Sequence, residues 1–109
     1  SREFLYVEDA AEGILLAAEH YDGHLPVNLG TGEEISIRDL AGWIATEVGF
    51  TGTIQWDTTK PNGQPRRCLD VSRAKQLFGF QAHHGLREGL KKTVRWFQGN
   101  RHAIREVHF

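Results

Sequence analysis

At 109 residues the chain has room for one small hydrophobic core and not for two. Its composition, 39% hydrophobic and 25% charged, excludes the disordered class, and no apolar run reaches the roughly 20 residues that cross a bilayer. A formal net charge of −1 gives no overall attraction for a polyanion, so no nucleic-acid partner is expected and any anion site must be local.

The start, Ser1-Arg2-Glu3, does not resemble a secretory leader, and a cytoplasmic location is expected. Cys68 stands alone, without a partner for an internal disulfide or a Cys-x-x-Cys spacing, and reads as an ordinary reduced thiol. The absence of methionine leads to the expectation of processing, tag removal or excision from a longer chain.

In chain order, Glu3-Phe4-Leu5-Tyr6-Val7 reads as a strand, and Glu8-Asp9 as a helix start whose acidic residues meet the helix dipole. Ala11, Ile14, Leu15 and Ala18 recur at helical spacing and predict one buried face, fading at Tyr21-Asp22-Gly23. Leu25 to Leu29 is again strand-like and is stopped by Gly30-Thr31-Gly32. Ser36 can cap a second helix, with Ile37, Leu40, Ala41, Ile44 and Val48 as its buried face and Gly49 ending it in a left-handed turn. Thr53-Ile54-Gln55-Trp56 alternates as a strand does. A loop rich in proline, glycine and cations runs from Thr58 to Arg67. A short helix lies within Asp70 to Phe80, and Leu86, Leu90, Val94 and Phe97 mark a last amphipathic helix. The order predicts an α/β lobe of few strands with three to four helices over residues 1–98, followed by a polar, mobile tail over 99–109.

Several chemistries are not supported. The third glycine of a dinucleotide-binding G-x-G-x-x-G would fall on Ile35, so Gly30-Thr31-Gly32 reads as a tight turn. A tyrosine acid/base with a lysine four residues on is missing, because Tyr6 is followed at that spacing by Ala10 and Tyr21 by Leu25. His20 and His24 have the spacing of metal ligands on one helix face, but Gly23 interrupts the helix and no metal is expected. No catalytic residue is assigned. What remains is Lys60-Pro61-Asn62-Gly63-Gln64-Pro65-Arg66-Arg67, three cations on a turn-prone scaffold. Arginine forks match phosphate oxygens in pairs and lysine adds a point charge, so a diphosphate is a chemically sensible guest.

Four blocks in order resemble the GDP-L-fucose synthase branch of the extended short-chain dehydrogenases, the NAD-dependent epimerase/dehydratase superfamily. They are Arg2 to Asp9; Val27 to Gly32 with Ile37-Arg38-Asp39-Leu40; Val48-Gly49-Phe50; and Asp57 to Arg67 running into Leu69-Asp70-Val71-Ser72-Arg73. The Lys-Pro-x-Gly-x-Pro-Arg block is the most specific of these. The resemblance implies that Arg2 reaches a nucleotide diphosphate and that Arg67 contacts the nucleotide sugar, with Lys60 and Arg66 supplying further charge. Arg67 replaces the lysine usual in the synthases, and Tyr6 and Glu8 replace their common histidine and aspartate. The reading implied is a carboxy-terminal substrate-recognition lobe for a nucleotide-diphosphate sugar, GDP-linked. NADP is the cofactor of the full-length family, and none is expected on this chain. An apolar surface left by a missing cofactor half implies a homodimer or self-association. The rival readings are a stand-alone, non-catalytic module that binds a nucleotide or a protein, and a structural remnant.

Overall fold

The computed structural model describes residues 1–104. Helix α1 spans Val7–His20, α2 Ile37–Val48, α3 Ser72–Phe78 and α4 Leu86–Asn100, with one 3-10 turn at Arg101–Ala103. The local chemistry of the sequence sets these boundaries. Ser36 Oγ accepts the Asp39 amide at 3.0 Å, satisfying one of the unpaired donors at the start of α2. Gly49, at φ 71°, and Gly79, at φ 68°, close α2 and α3 in the left-handed region, where a side chain would be strained.

The expected strands do not form. Among the described residues the only β pairing is a bridge in which Arg2 and Ile35 exchange both backbone hydrogen bonds at 2.9 Å. Glu3 to Val7 gives its last residue to α1, while Leu25 to Leu29 and Thr53 to Trp56 belong to no ladder. The physical reason is that a strand is completed by its neighbour. Alternating apolar residues make a segment fit for a sheet, but the ladder bonds must come from backbone elsewhere, and among the described residues no ladder forms on these segments. The observed architecture is therefore helical, joined by irregular connections, where α/β had been expected.

Two helix pairs organise the molecule, α1 with α3 and α2 with α4. The first pair holds the core: Ala74, Phe78 and Phe80 are buried, with Leu5, Leu16, Ala17, Tyr21, Val27 and Leu29 packed around them. Tyr21 and Phe78 meet as a tilted ring pair 6.0 Å apart, a favourable aromatic geometry. In the second pair the Arg87 guanidinium lies 4.3 Å from the centre of the Trp43 ring, and Val94 is the buried apolar contact on α4.

The face predicted to be buried on α1 is turned outward, with Ile14 61% and Leu15 64% exposed. Its inward side carries Asp9, Gly13, Leu16 and Ala17 instead. Alanine and leucine populate both sides of this helix, so periodicity names an apolar stripe without saying which stripe finds a partner. No residue of α2 is fully buried, although Leu40 and Ala41 are half-covered. The Cα radius of gyration is 16.7 Å, against about 13 Å for a compact domain of this length. Helix α4 continues through Gly99 and Asn100 into the 3-10 turn, and 105–109 of the anticipated tail lies outside the described residues.

Candidate functional site

The cationic loop meets the start of the chain and the turn before α2 in one polar seam. Arg2 is fixed by its backbone bridge to Ile35, and its Nη1 donates to the carbonyls of Ser1 at 2.8 Å and Gln64 at 2.6 Å. The Arg67 amide donates to the Ser1 carbonyl at 3.1 Å, so the far end of the loop is tied to the same strip of backbone. Arg66 turns away and grips Glu34, whose Oε1 accepts from Nε at 2.7 Å and also from Nη2. The other carboxylate oxygen of Glu34 accepts the Ser1 hydroxyl at 2.8 Å.

These contacts set the charge state of the seam. The hydrogen bonds from Arg66, and then from Ser1, hold the Glu34 carboxyl down at about 2. The same contact with Glu34 pushes the Arg66 guanidinium above its ordinary range. Desolvation, followed by the charges of Glu3 and Glu34, raises the Cys68 thiol, which therefore stays protonated at neutral pH.

The segment after the loop alternates. Arg66 reaches Glu34, and the Cys68 Sγ lies 3.7 Å from Glu3 Oε2 and 3.6 Å from the Gly32 carbonyl. Arg67 and Leu69 instead line an open concavity of about 450 Å³ together with Arg2, Glu3 and Phe4. Of the four cations singled out by sequence, the structure thus brings Arg2 and Arg67 onto one concavity and gives Arg66 to an ion pair. Lys60 is exposed, does not line that concavity, and makes no side-chain hydrogen bond or ion pair among the described residues.

Gly30-Thr31-Gly32 is drawn against Glu3. The Gly32 amide already donates to Glu3 Oε2 at 2.7 Å, and α2 starts only at Ile37. A Cβ on Gly30 would stand 2.4 Å from Glu3 Oε1, so a side chain there would displace the Glu3 carboxylate from the turn.

A second polar cluster was not foreseen. Asp9, 1% exposed, accepts the His84 backbone amide at 3.0 Å and the His84 Nδ1 at 2.9 Å, while Lys92 Nζ donates to His84 Nε2 at 2.8 Å. Tyr6 covers the imidazole at a centroid distance of 4.7 Å. Burial alone would raise the Asp9 carboxyl, but its bonds to the His84 side chain and to the backbone of His84 and His83 outweigh this and hold it below its ordinary value. Asp9 and His84 are 75 residues apart, and no spacing rule connects them. Among the described residues no group of three or more His, Cys, Asp or Glu side chains could hold a metal ion. None of the described helices is long and apolar enough to cross a membrane.

No family model matches the chain. A probable GDP-L-fucose synthase 1 of Oryza sativa subsp. japonica is 39% identical over 99 residues, covering 91% of this chain and 30% of the relative. The GDP-L-fucose synthase of Escherichia coli K12 is 40% identical over 113 residues, covering 95% of this chain and 35% of the relative. The chain is homologous to the carboxy-terminal part of an extended short-chain dehydrogenase. Among solved relatives of that family, the Bordetella bronchiseptica enzyme WbmF in complex with NAD+ and UDP superposes with a TM-score of 0.80 at 29% identity. That match covers 94% of this chain and 31% of WbmF. The helical arrangement thus corresponds to part of a short-chain dehydrogenase epimerase fold, and the chain spans about 30% of the length of the curated synthases it matches.

Proposed function

We propose that this chain is the substrate-recognition lobe of an NAD(P)-dependent nucleotide-sugar epimerase/reductase, that it takes a GDP-linked sugar, and that it is not catalytic alone. The observation that carries the reading is the pairing of Arg2 and Arg67 on one concavity, with the carboxylate of Glu3 engaged by the Gly32 amide beside it. Two arginines lining one open surface suit the two phosphates of a nucleoside diphosphate. The sequence blocks that place Arg2 and Arg67 are those shared with the GDP-L-fucose synthases, which supports guanosine as the base.

Reduction and epimerisation belong, in this reading, to an NADP-bearing part. The sequence has no tyrosine followed four residues later by lysine, and the amide of Gly32, in the one glycine-rich turn considered for a pyrophosphate, is engaged by Glu3. The exposed apolar stripe on α1, the unpaired extended segments and the large radius of gyration support a lobe shaped to pack against more polypeptide, and a cytoplasmic location goes with the proposed reading. The same stripe would let the isolated lobe self-associate.

Chemical-shift mapping tests the proposal. GDP is expected to move resonances of Arg2 and Arg67 with an affinity of roughly 1 mM, because part of the pocket wall is missing and the loop must be ordered. Arg67→Ala should abolish those shifts with the fold intact, and rising salt should weaken binding. UDP in a parallel titration reads the base, and NADPH should move nothing. A spectrum unchanged by GDP at about 10 mM would leave the non-catalytic module as the better reading.

A further inference from the structure

The two adjacent arginines of the loop do not face the same way, and only one of them meets Glu34. Arg66 and Cys68 face the turn before α2, whereas Arg67 and Leu69 face the concavity. Consecutive side chains on an extended backbone point to opposite sides, so fixing Arg66 on one side fixes Arg67 on the other. We infer that Glu34 is a positioning residue: it latches Arg66, and through Arg66 sets the register in which Arg67 meets the concavity.

Glu34 is built for holding. Each of its carboxylate oxygens takes a different segment, Oε1 the guanidinium of Arg66 and Oε2 the hydroxyl of Ser1. Arg66 gives two donors to one oxygen, a charge-assisted contact that restricts the guanidinium more than a single bond would. The carboxylate is the sheltered partner, 25% exposed against 73% for Arg66, so the arginine folds over an anchored acid. Ile35, next to Glu34, is buried and bridged to Arg2, which keeps the anchor itself from moving. One acid therefore registers the segment bearing Arg67 against the segment bearing Arg2.

The inference rests on the nucleotide reading for its consequence, and simple electrostatics makes the opposite prediction. Glu34→Gln removes a negative charge beside an anion site and frees Arg66, which by charge alone should tighten GDP binding. A latch predicts weaker binding. We expect Glu34→Gln to bind GDP about threefold more weakly, a modest effect in keeping with an exposed ion pair. Exchange of the Arg67 amide, now donated to Ser1, should quicken about fivefold while amides of α1 and α4 keep their rates. The reversed pair, Glu34→Arg with Arg66→Glu, restores the attraction at unchanged net charge and should recover both quantities. GDP binding that is equal or tighter in Glu34→Gln overturns the latch, and so does an unchanged Arg67 exchange rate. If the parent chain takes no GDP at all, the nucleotide reading falls and exchange alone decides: acceleration in Glu34→Gln with recovery in the reversed pair upholds the latch, and its absence overturns it.

Discussion

The α1–α3 core and the seam joining Arg2, Glu34 and the loop are held by different forces, and this separates what keeps the chain folded from what shapes the candidate site. The core is a small set of aromatic and aliphatic side chains removed from water around Phe78 and Phe80. The seam is irregular backbone stitched by hydrogen bonds and one exposed ion pair, with little apolar area enclosed. Burial of a large side chain stabilises by several kcal/mol, whereas exposed polar contacts mostly trade bonds with water for equivalent bonds. The core should govern stability and the seam should govern recognition.

The sharpest break in that comparison would come from Phe80→Ala. Phe80 is 2% exposed, and its truncation is expected to cost about 3 kcal/mol, read by urea unfolding. Arg67→Ala should leave the unfolding midpoint close to that of the parent chain while removing the GDP response. A midpoint that fell as far for Arg67 as for Phe80 would collapse the distinction.

Asp9→Asn comes next and tests the polar cluster that backs the core. Replacing the carboxylate that holds the His84 amide and imidazole should cost about 2 kcal/mol near neutral pH. The sign of the pH dependence follows from its lowered native value. Asp9 is held below its ordinary 3.8 in the folded chain, so its contribution is fully present above about pH 4 and is lost as pH falls through the native value. In Asp9→Asn this part of the acid limb of stability should disappear, and an unchanged limb would show that the seam carries it instead. Glu34 titrates with the same sign, from an ordinary 4.5 toward about 2. Comparing Asp9→Asn with Glu34→Gln by thermal unfolding at several pH values therefore separates the two regions.

The smallest effect on stability is expected from Leu15→Lys. Leu15 is 64% exposed on the outward stripe of α1, so the unfolding midpoint should hardly move while self-association in sedimentation falls. A large loss of stability would mean that the stripe is covered within the single chain.

The sequence by itself determined the helices, the two caps of α2 and the identity of the chain's relatives, because each of these is written in nearby residues. Ser36 before Asp39, Gly49 after Val48, and the spacing of Leu86, Leu90 and Val94 act over a few positions, and the four ordered blocks point to the GDP-L-fucose synthases. It also singled out Arg2 and Arg67, through block resemblance and the chemistry of guanidinium with phosphate. The tertiary structure decided the rest. Whether Glu3 to Val7 becomes a strand depends on a neighbour that local alternation cannot supply. Which stripe of α1 is covered depends on where Phe78 and Phe80 lie, more than fifty residues along the chain. Arg66 and Arg67 are adjacent and chemically alike, yet one lies on Glu34 and the other lines the concavity. Their difference comes from a carboxylate 32 residues from Arg66, a distance over which spacing carries no signal and only the folded backbone can bring charge to charge.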